Sequence, residues 1–237
     1  MNLFLKNKAF TMAEMLVSLT IIGIIAALTM PSVKMNTEKR ANAELLKKAV
    51  AKLDSVTEMT QVESKFQPLK CFYDNGTVNN EQCEDFYDYI TANLKTIKNC
   101  DTNALSEGCA PTYQQGADDI WQEKNKQRDD QSEEDYQAEK DNATLGCEEF
   151  RLEQLNTKTA FITSDGMIFY PYKKKFDDSP IFLVDVNGKR GPNKFGYDLF
   201  TLQLKGSLTQ TPTWGESSCE YVSSGGHTVK DILTGNY

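Results

Sequence analysis

From Phe10 to Met30 the chain runs for 21 residues in which Glu14 is the only ionisable side chain. From Leu16 on, the run is Leu, Ile, Val, Ala, Gly and Met, interrupted only by the small hydroxyls of Ser18, Thr20 and Thr29. At 1.5 Å per residue such a helix is about 31 Å long, the thickness of a bilayer's hydrocarbon core. The segment is long enough to span a membrane once, and the rest of the chain must then fold on one side of it. Lys6 and Lys8 precede it with no acid before them, so the positive-inside tendency keeps the N-terminus in the cytoplasm and sends everything after Pro31 outward.

What lies beyond the membrane fits that direction. Six cysteines without a CxxC pair, and a single histidine, lack the spacing of a zinc ribbon or a thioredoxin-type motif and read as disulfide partners in an oxidising compartment. The chain is 39% hydrophobic and 25% charged, which suits a globular domain rather than a disordered one. Thirty-four acids against 26 bases give a formal net charge of −8, so no nucleic-acid partner is expected.

Three readings compete for the apolar segment. A cleaved secretory signal would use Ile25-Ala26-Ala27 as its small-residue site and leave Leu28 as the new terminus, but Glu14 sits where its apolar region should begin. A plain single-pass anchor meets a milder form of the same difficulty, because a carboxylate within the bilayer costs on the order of a few kcal/mol unless it finds a partner or the interface. The third reading comes from the order of the residues: Lys8-Ala9-Phe10-Thr11-Met12-Ala13-Glu14-Met15-Leu16, then Ile21-Ile22-Gly23-Ile24-Ile25-Ala26-Ala27, then Pro31. This resembles the N-terminus of the type IV pilin and type II secretion pseudopilin superfamily.

The resemblance implies a basic leader, residues 1–9, removed by a prepilin peptidase between Ala9 and Phe10, with Phe10 then N-methylated. It makes Glu14 the fifth residue of the mature chain and Pro31 the helix-kinking proline of the family. Ala9 departs from the glycine usual before the cut, although it is also small. The implied partners are copies of the chain and other pilin-like subunits, the peptidase/methyltransferase, inner-membrane assembly machinery and membrane lipid. The implied product is a periplasmic or extracellular filament. In a bundle of such helices the α-amino cation of Phe10 and the Glu14 carboxylate of a neighbour would compensate each other where a lone charge is unfavourable. The alternative for Glu14 is that it merely reaches the interface.

The chain divides on this reading into a leader (1–9), a transmembrane and assembly helix (10–31), an amphipathic helix (32–60) and an extracytoplasmic head (61–237). Ala43, Leu46, Val50, Leu53 and Val56 recur at three- and four-residue steps, which predicts one buried helix face. Phe86, Tyr89, Ile90, Leu94 and Ile97 predict a second helix. Residues 118–141 are the most polar part of the chain and read as a solvated insertion, a loop or a loosely held helix. Cys71 with Cys83 and Cys100 with Cys109 flank turn signals, and local pairing of each would leave Cys147 for Cys219, although six cysteines allow fifteen connectivities. Strands are expected at 159–163, 167–172, 181–186 and 199–204, with a hairpin turn at Asp165-Gly166. The expected fold is α+β: the long helix packed on a small antiparallel sheet of three or four strands, stapled by disulfides.

Between the last two of these strands lies Asp185-Val186-Asn187-Gly188-Lys189-Arg190-Gly191-Pro192-Asn193-Lys194-Phe195-Gly196-Tyr197-Asp198. It resembles a loop found in the heads of some pilin-like proteins. Asp185, Asn187, Asn193 and Asp198 offer oxygen donors that suit calcium. The EF-hand pattern fails, because the fifth, sixth and twelfth places hold Lys189, Arg190 and Gly196, and the two cations would repel a metal if they pointed inward. A loop held only by side-chain-to-backbone hydrogen bonds is the other reading. Lys173, Lys174 and Lys175 with Lys189, Arg190 and Lys194 make a basic stretch that reads as a solvated face. His227 follows Ser223-Ser224-Gly225-Gly226 and reads as a loop residue. No second histidine is present to serve a hydrolase and no paired acids stand out, so no enzyme is expected. The competing class is a single-pass or secreted extracellular binding module.

Overall fold

The computed structural model describes residues 11–63, 80–172, 180–207 and 210–237. They fall into two compact units, one reaching to Ala41 and the other beginning at Asn42. A single helix, α1 (Met12–Glu63), runs through both, with Pro31 inside it. Proline has no N–H to give, so one rung of the helical ladder is missing there, yet the helix continues.

In the first unit the large apolar side chains from Met12 to Met35 are exposed. Four hydroxyls of this part of the helix are turned back on it: Ser18, Thr20, Thr29 and Thr37 donate to the carbonyls of Glu14, Leu16, Ile25 and Val33 at 2.7–2.9 Å. Their polar hydrogens are therefore satisfied without water. Among the described residues this is the one helix long and apolar enough to cross a membrane.

In the second unit the expected stripe is buried. Ala43, Leu46, Val50, Leu53 and Val56 are joined by Ala49, Thr57 and Thr60. The following helix, α2 (Asn80–Asn93), ends earlier than its apolar spacing predicts. Lys95 turns the chain through a positive φ of 53°, and Ile97 lies exposed in strand β1 (Thr96–Cys100) instead of continuing the helix. Two helices, α3 (Ala117–Lys124) and α4 (Glu133–Thr144), occupy the polar insertion, and the single turn α5 (Leu152–Leu155) follows. Then come β2 (Ala160–Thr163), β3 (Ile168–Pro171), β4 (Ile181–Asp185), β5 (Leu199–Ser207), β6 (Gln210–Glu216) and a last helix, α6 (Val229–Thr234).

The sheet has six strands in sequence order, all neighbours antiparallel. The four expected strands form its centre, with β1 and β6 added at the edges. Gly166 closes the β2–β3 hairpin with φ 83°, a conformation that suits glycine. Both faces of the sheet are covered, which is why β3 and β4 read as unbroken apolar runs. Phe169, Phe182 and Val184 face a core shared with α1 and α2, where Phe182 meets the rings of Tyr87 at 5.1 Å and Trp214 at 5.3 Å. Ile168, Tyr170, Ile181 and Leu183, alternating with these, face a second core.

That second core is built from residues on either side of the polar insertion, which itself contributes Ile120. Ala117 and Ile120 of α3 are buried there with Tyr113, Phe150 and Leu155. The insertion is held to itself by Trp121 against Tyr136, rings 5.5 Å apart. It is held to α5 by the Leu152 N–H, which donates to Asp118 Oδ1 at 3.0 Å. The disulfides Cys100–Cys109 and Cys147–Cys219 lie in the same core. The Cys71–Cys83 pair lies outside the described residues. Across the first core, the Trp214 N–H donates to Asp54 Oδ1 at 2.8 Å and its ring Nε1 to Thr57 Oγ1 at 2.9 Å, fixing β6 to α1.

Candidate functional site

Asp185 ends β4 on the face of the second core and is fully buried, as is Asp198 at the far end of the loop. Its Oδ2 accepts from the Tyr113 hydroxyl at 3.0 Å, and Tyr113 meets the Tyr170 hydroxyl at 2.7 Å. Oδ1 of Asp185 has no hydrogen-bond partner. Burial, then the neighbouring Asp198 charge, pushes the Asp185 carboxyl well above its ordinary value, and the Asn187 and Gly188 amides only partly oppose this.

Asp198 is the organiser of the loop. Its Oδ2 accepts from the Asn193 N–H at 2.8 Å and the Asn187 side-chain amide at 3.2 Å, and its Oδ1 from the Lys194 N–H at 2.8 Å. Burial raises its pKa despite these bonds. Asn187 also reaches Asn42 Oδ1 at 3.4 Å, tying the loop to α1. The side-chain oxygens of Asn187 and Asn193 are buried without a donor. All four residues singled out in the sequence therefore gather around one carboxylate, and three of them carry an orphaned oxygen. Lys189 and Arg190 do not point among these oxygens: Lys189 Nζ donates to the Gly108 carbonyl, and Arg190 Nε to the Asn187 carbonyl at 3.1 Å. Among the described residues no group of three or more His, Cys, Asp or Glu side chains is placed to hold a metal. The donor set is instead two carboxylates and two amide oxygens, which fits a hard cation and not a soft one.

The second candidate region is the start of α1. Thr11 Oγ1 accepts the Glu14 N–H at 3.2 Å, while Glu14 Oε2 accepts the Thr11 N–H and hydroxyl, both at 2.8 Å. This is a capping box: two helix-end donors are satisfied reciprocally, and the carboxylate is held over the first turn. Met12, Met15, Leu16 and Leu19 around it are exposed apolar side chains. An acid is thus capped at the start of a long, exposed apolar helix. Residues 5–30 match the family profile described as the prokaryotic N-terminal methylation motif.

The methylation motif is the hallmark of a prepilin-like segment, and the chain carries such a segment at its N-terminus. The motif lies on the one described helix long and apolar enough to cross a membrane, which suggests membrane anchoring. No curated protein and no solved structure matches the chain. Within the motif, Ala9 and Phe10 lie outside the described residues, Glu14 is partnered by Thr11, and Pro31 sits just past its end inside α1. Thr11 was missed as a partner of Glu14, although Thr-x-x-Glu before an apolar run is a legible helix-start signature. Lys173, Lys174 and Lys175 lie outside the described residues. His227 is a loop residue whose N–H donates to the Gly196 carbonyl at 2.8 Å.

Proposed function

We propose that the chain is a structural subunit of a type IV pilus-like or type II secretion pseudopilus filament. It enters the membrane as a prepilin with its N-terminus cytoplasmic and its head extracytoplasmic, is cut before Phe10, and assembles through α1 with copies of itself and other pilin-like subunits. The observation that carries this reading is the methylation motif set on a helix whose apolar side chains, from Met12 to Met35, find no cover in their own unit. Lipid covers such a surface before assembly, and neighbouring helices cover it afterwards. Glu14 is the polar group that has to be matched in either setting, and the α-amino cation of a neighbour's Phe10 matches it by charge. The head contributes shape and stability, and the role is structural rather than catalytic.

Mass spectrometry of the chain from membranes and from sheared surface filaments tests the reading. The expected N-terminal peptide begins at Phe10 and is about 14 Da heavier through methylation. A terminus at Leu28, or an intact Met1, overturns it in favour of ordinary secretion or a plain anchor carrying a binding module. Glu14→Ala, expressed beside the wild type, should insert into the membrane but be depleted from filaments. Thr11→Val removes the hydroxyl half of the capping box while keeping the charge and should be incorporated nearly as well as wild type.

A further inference from the structure

We propose that Lys34, Lys39 and Arg40 form a cationic collar on α1 that holds anionic phospholipid headgroups at the outer face of the membrane. The inference rests on the reading that α1 spans a bilayer, and it names the lipid met there. From Met15 to Val33 no residue carries an ionisable side chain, and the helix runs through the whole of this stretch. Glu14 and Lys34 bound it, and at 1.5 Å per residue the axial distance between them is about 30 Å, the thickness of the hydrocarbon core. With Glu14 at the inner face of that core, Lys34 therefore arrives at the outer one.

At 3.6 residues per turn Lys39 stands about 140° round the helix from Lys34, and Arg40 about 240°. The three cations are thus spread over the whole circumference within about 9 Å of axial rise, close to the depth of a headgroup layer. Lys34 and Arg40 are exposed and Lys39 is half-buried. The one acid between Pro31 and Ala43 is Glu38, one turn on from Lys34 and 3.7 Å from its Nζ. Three cations less one acid leave the collar positive in a chain whose formal net charge is −8. The apolar surface before it is spread in the same way, because the successive residues Met15, Leu16 and Val17, and then Ile21 and Ile22, are all exposed. A single docked protein covers one side of a helix, whereas lipid covers every side, and its headgroup layer continues that cover past Val33. Phosphate oxygens meet ammonium and guanidinium groups by charge-assisted hydrogen bonds, and the long stems let the charged heads reach the interface. A zwitterionic headgroup brings a cation of its own, so a positive collar favours a lipid with net negative charge.

The test uses the full chain, delipidated in detergent and given equal amounts of phosphatidylglycerol and phosphatidylcholine, with native mass spectrometry counting the lipids kept. The wild type should retain phosphatidylglycerol at least about threefold over phosphatidylcholine. Lys34→Gln, Lys39→Gln and Arg40→Gln combined should bring that ratio to about one, and Glu38→Gln should raise it by removing the acid beside Lys34. Displacement of the lipid by millimolar inorganic phosphate at constant ionic strength would reveal a site for free anions and overturn the choice of lipid. Resistance to carbonate extraction from vesicles of the same two lipids reads the span separately. Extraction of the wild type overturns the spanning reading itself. An inserted wild type that keeps the two lipids equally, or a triple variant that keeps the preference, overturns the collar alone. So does zero-length cross-linking of Lys34 or Lys39 to acids of a second copy with no phosphatidylglycerol retained, which would make the collar a contact between subunits.

Discussion

The two parts of α1 share one backbone and follow opposite rules. Up to Ala41 its large apolar side chains are exposed and the hydroxyls of Ser18, Thr20, Thr29 and Thr37 are folded back on helix carbonyls. From Asn42 on, a stripe is buried on a sheet whose other face is buried as well. The second part derives its stability from tertiary packing, as most protein helices do. The first part, apart from the rung lost at Pro31, is held by its own helical hydrogen bonds but is incomplete in its contacts, so its cover has to come from outside the unit. Apolar content already separates the two, since Glu14 is the only ionisable side chain from Phe10 to Met30 whereas charged residues recur throughout the second part. The difference is whether polar residues alternate with the apolar ones at helical spacing.

The sharpest way to break this comparison is to truncate one apolar side chain in each part and follow the emission of Trp121 and Trp214, both of which lie in the head. Phe182→Ala removes a fully buried ring from the first core and should cost roughly 3–5 kcal/mol. Ile22→Ala should leave the same transition within about 0.5 kcal/mol, and a larger effect would mean that the first unit takes part in folding the head. Next come the disulfides, which constrain only the head. Replacing Cys147 and Cys219 by serine opens a closure of 72 residues and should lower stability by about 4 kcal/mol. Replacing Cys100 and Cys109, nine residues apart, should lower it by about 3 kcal/mol. Urea denaturation of the full chain in detergent reads both.

The smallest effect is electrostatic. Burial works against ionisation of Asp165, but bonds from Lys52, Thr163 and Lys48 outweigh it and hold the carboxyl well below its ordinary value. Thr102 and Asn103 hold the Glu107 carboxyl down at about 2. A depressed carboxyl stabilises the fold fully above its unfolded value, and the contribution is lost as pH falls through the folded one. Melting points recorded from about pH 5 down to about pH 3 should therefore fall less steeply for Asp165→Asn than for wild type. Ile22→Ala should leave that slope unchanged.

Much of the head was legible because its elements obey a period. The helix stripe, the four central strands and the Asp165-Gly166 hairpin all announce themselves through spacing and turn chemistry. The edge strands do not. β1 carries exposed Ile97, Lys98 and Asn99, and its pairing with β2 is made by the backbone, which leaves no side-chain pattern. The cover of the second face was hidden for another reason. Tyr113, Ile120, Phe150 and Leu155 are scattered singly through polar sequence, so each looks like noise until the fold brings them to one surface. The Asp185–Asp198 loop was legible as a set of oxygens, but their burial without donors was not, because that depends on Tyr113 and on the backbone turns between them.

Val184 and Asp185 stand next to each other on β4 and face opposite sides of the sheet, paired with Phe169 and Ile168 on one flank and with Phe200 and Leu199 on the other. A shift of β4 by one residue would swap them, delivering a carboxylate into the aromatic layer of Phe161, Phe169 and Phe182 and turning a valine toward the tyrosine hydroxyls. Such a misaligned sheet would be disfavoured by on the order of several kcal/mol, since the displaced acid would have no hydrogen-bonding group to meet it. The acid at the end of β4 therefore acts during folding as a proofreader of strand alignment. It leaves the correct pairing as the one arrangement in which the chain's central strand can come to rest.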